Sequence, residues 1–523
     1  MNNMSKKEIA MLARKEYADP KNAIRPGGVN GNAFWNVRAS SFMYCPSFDF
    51  APIPGCENYL FVAEDENGGK YEFKSKFTTA LLAPIWDRLA HGQIQLIVYA
   101  LDGNDTIFAT VGARSFHKSA PFTGDYPKAA RDYRTAAKMA YEHIFTMPCI
   151  QSWLEQGVPK GYNLYIYITK MVAAIVHGMV HYAELSPENA ENALKIAVNA
   201  ADFLIETSVS KESPLSGLPL TYYYELEGLV FEDEGLQRSK TRLTEIMLMY
   251  PAEGGEAYLK LYKVTNDKKY FDAALVIADY YKRSVCENGS WPQLVSIETG
   301  KPTSKAYCLP SGICRFLRQM YDITGDIEWD VLAHNGMAYI REVCEKNYHW
   351  EGQFEDSPIS EQYSNMSHIV ADDLICDIVK NHGNDEIEIN IAKELMRFVE
   401  DQFIIWEHPA KYNCKTYFDT SLFHTPCGLE QYNWYVPIDG STAAAMNAFA
   451  KLHSVTGEAL LLKKACALAD SITNMQNPKT GMIPTHWMLP SCIEDGGDMW
   501  INCMIGTANR LYELANYLED KNL

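Results

Sequence analysis

The sequence predicts a mainly α fold: an (α/α)6 toroid of six helical hairpins, with a small N-terminal β-sandwich domain in front of it. Two observations carry this. Three segments, YLKLYKVTNDKKYFDAALVIADYY, FLRQMYDITGDIEWDVLAHNGMAYI and FAKLHSVTGEALLLKKACALADSI, each read as an apolar-periodic helix, a tight turn and a second helix. Ahead of them, residues 30–122 hold short runs rich in β-branched and aromatic residues, broken by Pro, Gly, Asn and Asp.

The β-rich runs are FMYCPSFDF, NYLFVAED, GKYEFKS, IQLIVYALD and IFATVGARSF, with Asn67-Gly68-Gly69 as a hairpin turn. Their number and spacing predict a fibronectin-type-III-like sandwich over 30–122, after a helical or irregular lead over 1–29. The character changes at PFTGDYP, and the barrel is expected over 123–523. Its turns carry Thr265, Thr324 and Thr456; further hairpins turn at Asn381–Asp385 and near Ser186-Pro187. A leading helix (128–145) and a closing helix (499–519) can pair as the sixth hairpin. An open solenoid is the competing architecture, but its repeats are shorter and more uniform.

The chain of 523 residues has a net charge of −19 and no basic stripe, which argues against nucleic acid and anionic membranes as partners. No run of about 18 apolar residues is present, so no membrane span is expected. The N-terminus reads without an apolar leader, and the 13 Cys are scattered with no CxxC pair; both suggest a cytoplasmic protein. The sequence leaves the oligomeric state open, with a homo-oligomer among the options. Aromatic residues reach 12%, a stock that suits stacking on sugar rings and equally suits core packing.

Long connections between hairpins (about 207–245, 286–306, 345–361, 404–436 and 475–499) must emerge at one end of the ring. They carry Trp291, Trp350, Trp406, Trp434 and Trp487, with Trp500 just beyond. Those indoles are expected either to stack on sugar or to plug the loops. The first helix of each hairpin is expected to line the lumen. Nine residues before the turns lie His177, Glu256, Arg315, Asp373 and Asn447; five before lie His181, Lys260, Gln319, Asp377 and Lys451. These positions share one helix face.

Glycoside cleavage uses two carboxyl groups, one protonating the leaving oxygen and one acting as base or nucleophile. The loops offer several. Trp350-Glu351-Gly352-Gln353-Phe354-Glu355-Asp356 gathers three acids, and Pro251-Ala252-Glu253-Gly254-Gly255-Glu256 opens an inner helix. Glu253 with Glu355 or Asp356 is the expected acid/base pair. Asn365, His368 and Asp372 are expected on one face of a helix over 361–381, where His368 and Asp372 tune a proton donor or form a structural pair. Trp291, Trp350 and Trp434 are the expected sugar platforms, with Gln293 and Tyr432 beside them. Asp439, Asp498 and Trp500 complete the cluster, although Asp439 also reads as a helix cap. Arg315 and Arg242 suit a substrate carboxylate; a plain ion pair inside the ring is the competing reading. No His/Cys grouping has zinc spacing, and no phosphate loop, GxSxG or GxGxxG occurs, so neither metal nor cofactor is expected.

Through FWN, YCPSFDFAPIPG, MYPAEGG, NGSWPQ, WEGQFED, LEQYNWYVPID and DMWINCMI, over about residues 30–515, the chain resembles bacterial proteins of the six-hairpin glycosidase superfamily. Within it the chain looks most like the β-glucuronidase-type family 154 of glycoside hydrolases. The resemblance implies an (α/α)6 ring, an accessory β domain, metal-independent hydrolysis and uronic-acid-bearing oligosaccharides as substrates. Two other functions remain open. One is a sugar epimerase or isomerase, or a lyase, using His177, His181, His368 and His486 in the lumen. The other is a non-catalytic sugar-binding protein.

Overall fold

The computed structural model describes residues 38–162, 164–223, 243–346, 348–355, 365–407, 410–412, 421–432, 434–489 and 498–523. The expected lead over 1–29, Arg242 and Asp356 lie outside the described residues, as does the side chain of Trp434.

Twelve long helices follow the strand region among the described residues. They are α1 (Tyr133–Thr146), α2 (Ile168–Leu185), α3 (Ala190–Glu206), α4 (Pro251–Thr265), α5 (Lys268–Ser284), α6 (Ser311–Thr324), α7 (Ile327–Ile340), α8 (Ile369–His382), α9 (Glu386–Phe403), α10 (Asp439–Thr456), α11 (Ala459–Met475) and α12 (Ile501–Asp520). The even-numbered helices pack side by side, and α12 packs back on α2, so the ring closes. Each odd-numbered helix lies outside its hairpin partner, with α1 backing α12. Tyr141 donates to Asn509 at 2.6 Å and Arg134 pairs with Glu519 at 2.6 Å, joining the first helix to the last.

The hairpin turns show why the repeat is readable. Thr265, Thr324 and Thr456 each donate their hydroxyl to the carbonyl four residues back, at 2.8, 2.8 and 2.9 Å. Each then accepts the N–H two residues on, at 3.2 Å in all three cases. The residue between is left-handed: Asn266, Gly325 and Gly457. Asp267 and Asp326 then cap the following helix through their side chains, as Asp385 does for α9. One short side chain thus ends one helix and orients the start of the next.

The lumen stripe is made of pairs between neighbouring inner helices. Arg315 on α6 donates to both oxygens of Glu256 on α4, at 2.8 and 3.1 Å, and to Asp373 on α8 at 3.3 Å. Gln319 adds a bond to Glu256 at 2.9 Å, and Lys451 on α10 faces Glu513 on α12 at 3.5 Å.

The strand region forms a five-stranded sheet and a two-stranded ribbon. The sheet order is β1 (Ser41–Phe42), β7 (Ile107–Lys118), β6 (Gly92–Leu101), β3 (Asn58–Asp65), β4 (Lys70–Ser75); the ribbon pairs β2 (Ser47–Asp49) with β5 (Thr79–Leu81). Phe48 and Phe50 lay the ribbon against Phe116 and Phe61 of the sheet. This differs from a fibronectin-type-III-like sandwich of two comparable sheets. The Ala51-Pro52-Ile53-Pro54-Gly55 run stops β2 after three residues, because proline supplies no ladder N–H.

The sheet is anchored to α9. Asp401 accepts the N–H groups of Met43 and Tyr44 at 2.7 and 2.6 Å. Glu400 accepts from the Tyr44 hydroxyl, Lys464 and the Trp406 indole, each at 2.8 Å. One large apolar core runs from the sheet through the ring, with a small separate cluster of Met247, Tyr250 and Leu294. No described helix is long and apolar enough to cross a membrane.

Candidate functional site

The N-terminal ends of the inner helices and the long connections meet at one end of the ring. Lys170 stands in the first turn of α2, Glu253 in the first turn of α4, Asp439 at the start of α10 and Cys503 in the first turn of α12. The connection carrying Glu355 dips between them. Lys170 Nζ donates to Glu355 Oε1 at 2.6 Å, and the Tyr250 hydroxyl donates to Oε2. The Tyr222 hydroxyl holds the Glu355 carbonyl at 2.7 Å. Glu355 is buried, and its loop is pinned by residues from three other segments. Burial works against the Lys170 ammonium, but the Glu355 carboxylate outweighs it and holds the lysine above its ordinary value.

Glu253 is the opposite case. It is half-buried, and no described residue donates a hydrogen bond to its carboxyl group. Burial pushes its pKa from 4.5 up to about 7; Lys170 pulls it down, while Glu355 and Glu256 push it further up. A helix N-terminus stabilises a carboxylate by only about 0.3–1 kcal/mol. One pKa unit is about 1.4 kcal/mol, so desolvation wins here. The result is an acid poised to give up a proton near neutrality, beside a carboxylate with two donors.

Asp439 is wholly buried. Its Oδ2 accepts from Thr507 at 2.9 Å, while Oδ1 has no side-chain partner among the described residues. Burial pushes this carboxyl up to about 7 as well. Next to it, His486 Nδ1 sits 2.8 Å from Asp498 Oδ2, and its ring stands edge-on to Trp500 at 5.2 Å. Burial lowers the imidazole, but Asp498 more than offsets this and the net shift is upward. Trp500 is 40% exposed.

Several sequence expectations need correction. Trp291 is fully buried; its indole donates to the Tyr281 carbonyl at 2.8 Å and packs edge-on against that ring. Gln293 is also fully buried. Trp350 is fully buried and stacked on Phe398. Tyr432 is buried, stacked on Phe403, with its hydroxyl on Gln402. None of these can meet a sugar from the lumen. Trp406 and Trp487 are buried too, so the loop tryptophans are mainly plugs that order long connections. Arg315 is taken up by Glu256 and Asp373, as the competing ion-pair reading has it. His368 precedes α8 rather than lying within it, and Asn365 sits in the preceding bridged segment, so the three do not share a helix face. The His368–Asp372 pair does form, at 2.6 Å, but both residues are buried.

Sequence reasoning passed over Lys170, Tyr250, Tyr222 and Cys503. Lys170 had a signal: it lies seven residues before His177 and shares its helix face. Tyr250 and Tyr222 had none, because their roles depend on where the Glu355 loop lands.

No family model matches the sequence, and no curated protein matches it. Solved structures do. A D-mannose isomerase superposes with a TM-score of 0.52 at 13% identity, covering 73% of this chain and 97% of that one. A cellobiose 2-epimerase from Spirochaeta thermophila does so with a TM-score of 0.50 at 13% identity, covering 74% and 98%. An unsaturated glucuronyl hydrolase specific for heparin gives a TM-score of 0.45 at 12% identity, covering 75% and 98%. What this chain shares with the isomerase and the epimerase is their fold.

Proposed function

We propose that the chain is a glycoside hydrolase acting on oligosaccharides through a carboxylate pair, Glu253 and Glu355. The observation that carries this reading is the pairing of a near-neutral acid with a pinned carboxylate at the mouth of the ring. Glu253 protonates the glycosidic oxygen as the C–O bond breaks. Glu355, buried and paired with Lys170, acts on the developing oxocarbenium centre through its field rather than by contact; water then adds to the anomeric carbon and its proton restores Glu253. Trp500 stands at the mouth as the sugar platform, with Asp498 and His486 beside it. The sequence resemblance supports a glucuronide-type substrate.

The test is a panel of nitrophenyl glucosides, galactosides, glucuronides and galacturonides with purified protein. Glu253→Gln is expected to cut kcat by about 10²–10⁴ on substrates with poor leaving groups. The loss shrinks on aryl glycosides whose leaving group needs no proton. Equal loss on both kinds of substrate removes Glu253 from the acid role.

A second reading is a sugar epimerase or isomerase, favoured by the histidines at the ring. His177 lines the lumen, and burial depresses its pKa to about 3, keeping it neutral. His486 is poised upward by Asp498. Deuterium incorporation at a sugar carbon in heavy water, without release of a leaving group, selects this reading over hydrolysis.

A further inference from the structure

The lumen cations among the described residues nearly all have a carboxylate. Lys170 pairs with Glu355 at 2.6 Å and Arg315 with Glu256 at 2.8 Å. Lys451 faces Glu513 at 3.5 Å, and Lys260 stands 4.0 Å from Glu184. Arg510 on α12 is the exception. It is half-buried, and no described residue makes a hydrogen bond or ion pair with its guanidinium.

Its placement is specific. Cys503, Gly506 and Arg510 follow one another at helical spacing on one face of α12. The Arg510 Nη1 atom lies 3.3 Å from where a Gly506 Cβ would stand, so the side chain runs back along the helix towards the mouth, over the space the glycine leaves. That direction leads to Cys503, whose surroundings include Lys170, Glu355 and Asp439. Its charge also reaches α8, where it acts on Asp372 and Cys376. The guanidinium is therefore inside the ring, below the acid pair. Asp372 feels this charge but is held by His368 and forms no ion pair with Arg510, so the half-buried guanidinium keeps its donors open to a ligand in the lumen.

We infer that Arg510 is the receptor for an anionic group on the sugar that enters the lumen, the role that Arg315 cannot fill while Glu256 and Asp373 hold it. A planar guanidinium takes a carboxylate or a phosphate by two parallel bonds, so the anion is a uronate or a sugar phosphate, which the titration separates. This deepens the hydrolase reading and rests on it for the identity of the site, but binding can be measured without turnover.

The experiment is calorimetric titration of the full chain with glucuronate, glucose 6-phosphate and glucose. Wild-type protein is expected to bind glucuronate at least tenfold more tightly than glucose. Arg510→Gln is expected to erase that preference with an unchanged melting temperature, and Arg510→Lys to restore part of it. Tighter binding of glucose 6-phosphate than of glucuronate, also lost in Arg510→Gln, keeps the receptor and assigns it a sugar phosphate. Equal binding of all three sugars, or a preference unaffected by Arg510→Gln, overturns the assignment. Where the panel shows turnover, the glucuronide-to-glucoside ratio of kcat/KM falls at least thirtyfold in Arg510→Gln. If no glycoside is cleaved while the binding preference holds, the hydrolase reading fails and the receptor stands.

Discussion

At the scale of single residues, the site is governed by how burial divides its acids. Glu253 and Asp439 are both pushed up to about 7, although each stands at a helix N-terminus that favours the charged form. For Glu253 the consequence is kinetic: kcat/KM falls as pH rises through about 7, and Glu253→Gln loses that limb of the profile. For Asp439 it concerns stability. The folded value lies above the unfolded one, so the folded state holds the proton more tightly. The stability this contributes is complete below pH 4 and is lost as pH rises through about 7. Asp439→Asn is therefore expected to melt higher than wild type at pH 8, with the difference shrinking at pH 5. A difference independent of pH would show that Asp439 is already paired in some other way.

At the scale of elements, the C-terminal end of α9 ties the sheet to the ring. Glu400 and Lys464 are both buried, and Tyr44 and Trp406 complete the carboxylate's shell. Breaking a buried pair by removing one partner costs about 3–5 kcal/mol, because the other charge is left uncompensated. Glu400→Ala is thus expected to lower stability in urea by about that amount. Replacing both members with methionine should recover much of it. A loss below about 1 kcal/mol in the single variant would mean that Lys464 finds water or another acceptor. Tyr44→Phe removes only a hydroxyl donor and should cost about 1–2 kcal/mol.

At the scale of the whole molecule, closure decides what is cooperative. The last helix packs on α10, α2 and α1, so it completes the wall for three others. Truncation after residue 498 is expected to abolish the cooperative melting transition, with calorimetry as the readout. Because one apolar core joins sheet and ring and α9 holds both, the intact protein should melt in a single transition. Two resolved transitions would show that the sheet folds independently of the ring.

The hairpins were legible because their information is local. A 3.6-residue apolar period, a threonine that closes one helix and an aspartate that opens the next all act within a few residues. The pairing of first and last helices followed from counting. The same reading placed Glu253 on an inner helix, because its position within a repeat is also local information. The tryptophans misled, because an indole in a long loop looks the same in sequence whether it stacks on a ligand or plugs the connection. Burial chose the second for Trp291 and Trp350. Arg315 misled for a related reason: its partners Glu256 and Asp373 sit on two neighbouring helices, some 59 and 58 residues away. The sequence by itself determined the helices, their turns and their order around the ring, all set by contacts within one hairpin. Only the tertiary structure decided which charges form an ion pair among the described residues and which, like Arg510, do not, since a charge meets its partners only once the ring has closed.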